Sequence, residues 1–230
     1  MIDTLTIRRV GANEASACID ALADVLIDCV EGGASVSFMA PLSQDKARAF
    51  WRNVAEGVAR GERALLIAED EAGAIHGTVQ LVLAQPENQP HRADVAKMLV
   101  HRRARRQGVA QRLMAAIEDE ARAEGKTVLV LDTVTGGDAE RLYARAGWQR
   151  VGVVPNYALM PDGAFCGTTF FCKQLCAPDS AALSIKSIDQ IVNVPRPISI
   201  TRPPTWIVPS ASTRSVRWQG RPTAAPCSMR

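Results

Sequence analysis

A basic, glycine-containing loop is the segment of this sequence best suited to bind a phosphorylated ligand. It comprises residues 105–110 (RRQGVA), follows a predicted strand and opens a predicted helix. A helix N-terminus offers unpaired backbone N–H groups and a partial positive charge, so it can bind a diphosphate. Gly108 would let the backbone approach the phosphates closely, and nearby arginines would add positive charge: Arg102, Arg103, Arg105 and Arg106. The alternative is a basic, solvated turn that only starts a helix.

Two acidic residues near this loop could carry acid–base chemistry. Asp94 lies at the start of the strand before the loop, and Asp132 lies at the carboxyl end of the next predicted strand. Open α/β sheets bind ligands at the carboxyl ends of their parallel strands, so both acids are candidate general bases. A carboxylate with a pKa near 4 is a weak base, and it would need a raised pKa or a relay water. In the alternative, Asp132 caps a strand-end turn and Asp94 is a solvated strand residue.

The elements that must position these residues alternate between strands and amphipathic helices. Apolar patterning predicts seven strands, over residues 4–10, 64–68, 75–84, 93–100, 127–131, 149–154 and 165–174. Helical periodicity predicts four helices, over residues 13–30, 44–60, 108–124 and 138–146, with Asn13, Ser43 and Asp138 as candidate N-caps. The expected order is therefore β-α-α-β-β-β-α-β-α-β-β.

The helix between the strands at 93–100 and 127–131 sets the predicted topology. A helical crossover makes these two strands parallel neighbours in a right-handed unit. The turn at 69–73 predicts an antiparallel hairpin before them. We therefore expect an α/β fold with a mixed sheet and helices on both faces.

Composition favours a globular domain and argues against several other classes. The hydrophobic share of 47% and charged share of 22% are ordinary for such domains. No apolar run reaches transmembrane length, and the N-terminus lacks a signal-peptide pattern. The six cysteines form no C-x-x-C pair, so we expect no metal site. These features predict a cytoplasmic protein that binds no membrane.

The C-terminal quarter of the chain has a different composition. It contains eight of the thirteen prolines, and from residue 176 onward it has seven Lys or Arg residues against two Asp. We predict a folded domain over residues 1–176 and a Pro- and Arg-rich, disordered extension over residues 177–230. Because the basic charge is concentrated there, with only Trp206 and Trp218 able to stack on bases, we expect no nucleic-acid partner.

Two segments resemble motifs of the GNAT superfamily of N-acetyltransferases. Residues 105–110 are similar to its Q/R-x-x-G-x-G/A pattern, in the required strand–loop–helix context. Residues 138–148 (DAERLYARAGW) resemble its A-x-x-x-Y-x-x-x-G-F/W segment. Gly136 stands where the family often has asparagine, so any cofactor contact of that asparagine is absent. The resemblance implies a GNAT fold, mostly antiparallel with a central splayed pair of parallel strands, and acetyl-CoA as acetyl donor.

The resemblance also implies roles for single residues. Tyr143 would lie near the thioester sulfur as general acid to the departing thiolate, the alternative being a helix residue that packs the core. A backbone N–H near Leu99 or Val100 would stabilise the thioester oxygen in the transition state. The implied cofactor-binding residues are Met98, Leu99, Val100, Arg105, Arg106, Gln107, Gly108, Val109, Ala110 and Tyr143.

A narrower resemblance, over about residues 5–175, is to the tabtoxin-resistance acetyltransferases, which acetylate the free amine of a small β-lactam dipeptide toxin. It rests on residues 31–40 (EGGASVSFMA), 97–100 (KMLV), 131–133 (LDT) and 156–163. It points to Asp94 and Asp132 as acids acting through water. The segment at 31–39 would form a wall of the amine pocket, the alternative being an irregular helix–helix connection. The candidate substrate-binding residues are Gly33, Ser35, Phe38, Asp132 and Tyr157.

These features together predict an enzyme that transfers acetyl from acetyl-CoA to a primary amine by direct attack in a ternary complex. The candidate catalytic residues are Tyr143, Asp132 and Asp94. The expected acceptor is a small amino-acid- or dipeptide-like molecule, as in toxin or antibiotic detoxification. Two alternatives are the same chemistry on proteins or peptides and a non-catalytic acetyl-CoA-binding module. We expect a monomer or a homodimer.

Overall fold

The computed structural model describes residues 5–175, which contain a seven-stranded mixed sheet with helices on both faces. The strands are β1 (Thr6–Arg9), β2 (Arg63–Glu69), β3 (Ile75–Val82), β4 (Arg92–Val100), β5 (Val128–Val134), β6 (Gln149–Leu159) and β7 (Phe165–Gln174). The helices are α1 (Ala12–Ala15), α2 (Ile19–Glu31), α3 (Gln44–Ala59), α4 (Val109–Ala123) and α5 (Asp138–Arg145), with a short 3-10 turn at Arg102–Ala104. The extension predicted over residues 177–230 lies outside the described residues.

One parallel pair lies in the middle of this otherwise antiparallel sheet. The strand order is β1-β2-β3-β4-β5-β7-β6, and β4 and β5 are parallel. The other neighbouring strands of the described sheet are antiparallel. Helix α4 makes the crossover between β4 and β5, so the predicted parallel pair and mixed sheet are confirmed.

Apolar side chains bury both faces of the sheet. On one face, Leu113 of α4 packs in a cluster with Val79 and Leu129. On the opposite face, Trp51 of α3 packs in a second cluster with Ile67. We refer to the face of Val79 and Leu129 as the α4 face and to that of Ile67 as the α3 face. Because strand side chains alternate, the central strands β2, β3 and β4 contribute buried residues to both clusters.

The helix predicted over residues 13–30 is two helices, α1 and α2. The N-cap of the single-turn helix α1 is Gly11, and Asn13 lies inside that turn, so the predicted Asn13 cap is wrong. Glu14 in this turn pairs with Arg8 of β1. This ion pair attaches α1 to the edge of the sheet before the chain turns into α2.

The other two predicted N-caps have different outcomes. Ser43 caps α3 as predicted, because its hydroxyl accepts a hydrogen bond from the Lys46 N–H at 3.3 Å. Asp138 is the first residue of α5 rather than its cap, which is Gly137. The Asp138 carboxylate pairs instead with Arg141, one turn along the helix.

Two strands extend beyond their predicted ends. β5 continues to Val134 because β7 pairs with it as far as Thr168. Asp132 therefore lies inside β5, opposite Phe170, rather than at the end of a strand. β6 continues to Leu159 through register shifts against β7.

A buried ion pair joins α4 to β7 and to the end of α5. Both Glu118 oxygens accept from Lys173 Nζ at 2.7 Å, and one accepts from Trp148 Nε1 at 3.0 Å. We expect Glu118→Ala to lower the free energy of unfolding by about 3 kcal/mol, since it leaves a partly buried ammonium with only the Ala146 carbonyl as partner and an indole N–H with none. Urea unfolding measures this. Asp119→Ala removes an exposed carboxylate from the same helix and should cost less than about 1 kcal/mol; equal losses in the two variants would contradict the assignment.

Candidate active site

The parallel strands β4 and β5 separate toward their carboxyl ends. They pair only over residues 92–94 and 128–130. Beyond these pairs β4 continues along β3 to Val100, while β5 continues along β7 to Val134. A bulge in β4 places Lys97 at φ 50° and shifts its register against β3. The separation leaves a gap in the sheet that opens beside the start of α4.

Backbone N–H groups at the start of α4 are available to a ligand. Gly108 is the N-cap, at φ 77°, in the left-handed region that favours glycine. Among residues 5–175, no acceptor lies in hydrogen-bonding range of the N–H groups of Gly108, Val109 and Ala110. A Cβ placed on Gly108 would meet no atom within 4 Å, so the space around the turn is open. The N-terminus of this 15-residue helix therefore suits an anion such as a diphosphate.

Three of the four loop arginines hydrogen-bond to neighbouring parts of the protein and so hold the loop in position. Arg102 donates to Asp28 of α2 through its backbone N–H at 2.7 Å and through Nε at 2.8 Å. Arg103 donates from Nε to Nδ1 of buried His76 at 3.0 Å, and Arg105 donates from Nε to the Val100 carbonyl at 3.1 Å. Of the four loop arginines, Arg106 is the one whose exposed guanidinium has no hydrogen-bond or ion-pair partner among residues 5–175. Arg106 is therefore the loop arginine best placed to meet a phosphate.

Strand pairing shows which of the two candidate backbone donors, the Leu99 and Val100 N–H groups, faces the gap. The His101 N–H donates to the His76 carbonyl of β3, and Val100 lies opposite Gly77. In an antiparallel pair the N–H groups alternate in direction, so the Leu99 N–H points toward β3. The Val100 N–H points to the other side, which is the gap. Of the two, Val100 is therefore the donor that could reach a ligand in the gap.

Tyr143 lies on the α4 face beside the gap. Its side chain is 5% exposed and packs against Trp148 and Phe171, with ring centroids 6.2 and 5.9 Å away. Within residues 5–175 its hydroxyl has no hydrogen-bond partner. Burial and the nearby charge of Asp132 raise the pKa of Tyr143. The phenol therefore remains protonated at neutral pH and can donate a hydrogen bond into the gap.

Asp132 lies on the α3 face of the sheet, on the opposite side of the gap from Tyr143. In the described part of the chain its carboxylate pairs with no other side chain. The side chain reaches solvent, but surrounding protein still raises the pKa of Asp132 by desolvation. The charge of Lys97 opposes this rise and that of Asp94 adds to it. A raised pKa and an open carboxylate make Asp132 the better candidate base.

Asp94 is engaged by neighbouring side chains. It forms an ion pair with Arg92 and accepts from Gln85 Nε2 at 3.1 Å. An Asp94 that acts as a base would have to leave these partners or work through a water. The structure thus brings both predicted acids to the α3 face, with Asp132 as the less encumbered of the two.

The loop between α2 and α3 forms a wall beside this face. The Ser35 hydroxyl donates to the Leu159 carbonyl at 2.8 Å, which ties the loop to the β6–β7 hairpin. Phe38 packs edge-on against Phe50 of α3, with ring centroids 5.3 Å apart. Gly33, at φ 83°, belongs instead to the turn that ends α2.

Tyr157, the remaining predicted substrate residue, lies on β6, across the α3 face from the loop between α2 and α3. It is 54% exposed, and its ring packs edge-on against Phe170. The predicted substrate residues therefore border the α3 face, apart from Gly33.

Sequence reasoning assigned no role to three polar residues on the α3 face: Arg63, Gln80 and Lys97. Lys97 Nζ donates to the Ser37 hydroxyl at 3.0 Å and lies 5.6 Å from the Phe50 ring centroid. Gln80 is fully buried, and Arg63 Nη1 donates to its Oε1 at 3.1 Å. Gln80 and Lys97 could have been noticed in the sequence, because each is a polar residue in the middle of an apolar strand pattern, in β3 and in β4.

The described residues contain neither a metal-binding cluster nor a membrane-spanning helix. No group of three or more His, Cys, Asp or Glu side chains is arranged to hold a metal ion. In the same residues, 5–175, no helix has both the length and the apolar character needed to cross a bilayer.

Comparison with known sequences identifies the family of the domain. Residues 21–148, more than half of the chain, match the Acetyltransferase (GNAT) family. The curated relative named "Uncharacterized N-acetyltransferase in hisH-hisA intergenic region", from Azospirillum brasilense, is 35% identical over 113 residues. That match spans 48% of this chain and 65% of the relative.

Solved structures share the fold at low sequence identity. Ribosomal-protein-alanine N-acetyltransferase from Brucella melitensis has a TM-score of 0.61 at 23% identity, covering 74% of this chain and 99% of its own. A phosphinothricin acetyltransferase from Sinorhizobium meliloti, solved in complex with AcCoA, has a TM-score of 0.61 at 16% identity, covering 75% and 89%. The fold is therefore the predicted GNAT fold, with its parallel pair formed by β4 and β5. Together with the match of the family over residues 21–148, this shows that the chain belongs to the GNAT family of acetyltransferases.

Proposed function

We propose that this protein transfers the acetyl group of acetyl-CoA to a primary amine of a small molecule. The observation that carries the proposal is the row of unpartnered N–H groups at Gly108–Ala110 beside the β4–β5 gap. These groups fit a diphosphate, and Arg106 adds a free positive charge. A ligand held there would extend toward the Val100 N–H, with Tyr143 and Asp132 on opposite sides.

The acid–base problem of this reaction explains the need for Asp132. An amine with a pKa near 10.4 is neutral in only about one molecule in 10³ at pH 7. Acetyl-CoA supplies an activated acetyl group, but only a neutral nitrogen can attack it. Asp132, directly or through a water, accepts the proton that the amine must lose.

Two hydrogen-bond donors complete the proposed catalytic arrangement. The Val100 N–H can stabilise the negative charge that develops on the thioester oxygen. The protonated Tyr143 hydroxyl can donate to the sulfur that leaves. We infer direct attack in a ternary complex, which this arrangement supports because donor and acceptor would approach the gap from opposite faces of the sheet.

The narrower substrate class is an amino-acid- or dipeptide-like amine, including toxins or antibiotics that acetylation would disarm. The support is the resemblance to tabtoxin-resistance enzymes at residues 31–40 and 156–163, together with the wall that Ser35 and Phe38 form. The structural relative from Sinorhizobium meliloti is named as an acetyltransferase of another small amine, phosphinothricin.

Other assignments remain open to the same test. The Brucella melitensis relative is named for acetylating a ribosomal protein, which keeps protein or peptide acceptors as an alternative. A second alternative is a module that binds acetyl-CoA without catalysing a reaction. We propose a monomer or a homodimer, and apolar side chains exposed on β6, such as Val151 at 66%, could form a dimer contact.

A library of primary amines, assayed with acetyl-CoA by release of free thiol, tests the function. We expect turnover with small amines and none above background with protein N-terminal peptides. Turnover of peptides alone would support the alternative acceptor, and no turnover with any amine would refute the enzyme proposal.

The pH dependence of kcat/KM provides a further prediction. Asp132 must be ionised to act as a base, and desolvation by the surrounding protein raises its pKa. Activity should therefore fall on the acidic side with a midpoint above the usual aspartate pKa of about 3.9. Initial rates between pH 4 and 9, measured with one good amine, locate the midpoint. Loss of this acidic midpoint in Asp132→Asn would assign it to Asp132.

A further inference from the structure

The α3 face of the gap carries positive and hydrogen-bond-donating groups with no carboxylate partner. Within residues 5–175, no carboxylate oxygen lies within 4.0 Å of Lys97 Nζ or of the Arg63 guanidinium. Gln80 is 0% exposed, and its Nε2 has no acceptor. A buried amide donor without a partner costs free energy, so its retention points to a partner that a ligand could provide.

Sheet register places these groups together. Gln80 pairs with Leu65 of β2 and with Ala96 of β4, and residues paired across strands point to the same face. Arg63 lies two residues before Leu65, so it shares that face and reaches Gln80 Oε1. Lys97 follows Ala96 at the bulge, and its ammonium lies over the Phe50 ring of α3.

The same face carries Asp132. Asp94 pairs with Val130 of β5, and Asp132 lies two residues beyond Val130. The ammonium of Lys97 is close enough to influence the pKa of Asp132 but does not form an ion pair with it. An acceptor lying across this face would therefore meet a carboxylate on one side and an ammonium on the other.

We propose that Lys97 is a specificity-determining residue that binds a carboxylate of the acceptor, with the Gln80 amide as a second donor. The acceptor is then a zwitterion whose amine faces Asp132 and whose carboxylate faces Lys97. This inference rests on the proposed acetyltransferase function and adds the charge of the acceptor to it. The Ser37 hydroxyl and the Phe50 ring hold the ammonium in place. Desolvation lowers the pKa of Lys97, so its ammonium is stabilised when an anion pairs with it.

Matched acids and carboxamides test the inference in the full-length protein. The pairs are glycine and glycinamide, β-alanine and β-alaninamide, and 4-aminobutyrate and its amide, which vary the distance between amine and carboxylate. We expect the parent enzyme to prefer the acid in at least one pair. In Lys97→Met the ratio of kcat/KM for acid over amide should fall about 30-fold, or about 2 kcal/mol, mostly through KM. The intrinsic reactivity of each amine cancels when this ratio is compared between variants.

Further variants exclude a purely structural effect. Lys97→Arg keeps the charge and should recover part of the preference. Lys126→Met, which removes an ammonium that donates to the Pro90 carbonyl, should leave the ratio unchanged. Because the charge of Lys97 holds the pKa of Asp132 down, Lys97→Met should also move the acidic limb of kcat/KM to higher pH.

The outcomes separate this inference from the proposed function. An unchanged acid-to-amide ratio in Lys97→Met, or a parent enzyme that acetylates the carboxamides but none of the acids, would overturn the role of Lys97 and leave the enzyme proposal intact. A parent protein that releases no thiol with any of the amines tested would overturn both the role of Lys97 and the enzyme proposal.

Discussion

Asp132→Asn is expected to lower kcat by about 10²- to 10⁴-fold, the usual contribution of a positioned general base. The amide keeps the size of the side chain but cannot accept the proton that the amine must lose. Steady-state rates at saturating amine and acetyl-CoA measure the effect. A rate within about threefold of the parent, or about 0.6 kcal/mol, would show that Asp132 is not the base.

Stability provides a control for this variant. Because desolvation by the surrounding protein raises the pKa of Asp132, the folded state binds the proton more tightly than the unfolded chain does. The ionised carboxylate therefore destabilises the fold fully above the folded pKa, and this cost falls as the pH drops through the folded pKa and is absent below the unfolded pKa. Asp132→Asn should consequently unfold at the same temperature as the parent or slightly higher at pH 7. Asp94→Asn, at an acid already paired with Arg92, should lower kcat less.

Tyr143→Phe is expected to lower kcat by about 10- to 100-fold, or about 1.4 to 2.7 kcal/mol. The pKa of Tyr143 is raised above that of a thiol, so a hydrogen bond to the departing sulfur is more favourable than complete proton transfer. The variant keeps the ring that packs on Trp148 and Phe171, so its stability should match that of the parent. Single-turnover rates separate the chemical step from product release.

The exposed tyrosine on β6 offers a matched control. Tyr157→Phe removes the same hydroxyl from a residue that is 54% exposed and whose ring contacts that of Phe170. It should change KM for the amine more than kcat. Equal losses of kcat in the two variants would argue against a role for Tyr143 at the sulfur.

The parts of the site that depend on local sequence could be predicted. The strand–loop–helix segment around Gly108 is contiguous, so its glycine, its helix start and its unpaired N–H groups follow from neighbouring residues. The parallel β4–β5 pair followed from one helix of crossover length. In the same way, the wall residues Ser35 and Phe38 belong to one continuous segment.

The parts of the site that depend on contacts between residues far apart in the sequence could not be predicted. Arg102 and Arg103 looked available for phosphate, but Asp28 and His76, far away in the chain, bind them. The true end of β5 depends on pairing with β7, which no local pattern of residues 127–131 reveals. The side of the sheet that Lys97 faces depends on a bulge, and a one-residue shift reverses the direction of a strand side chain.

Calorimetric titration of coenzyme A into the parent protein, Gly108→Ala and Gly125→Ala tests the central claim most directly. Both glycines have left-handed φ values, 77° and 68°, at opposite ends of α4, and neither added Cβ meets an atom within 4 Å. Both variants should therefore lose similar stability through backbone strain. Only Gly108→Ala should weaken binding, by about tenfold or more, because its methyl group intrudes where the backbone approaches the diphosphate. No binding to the parent, or equal affinity in all three proteins, would contradict the claim that the start of α4 holds the cofactor.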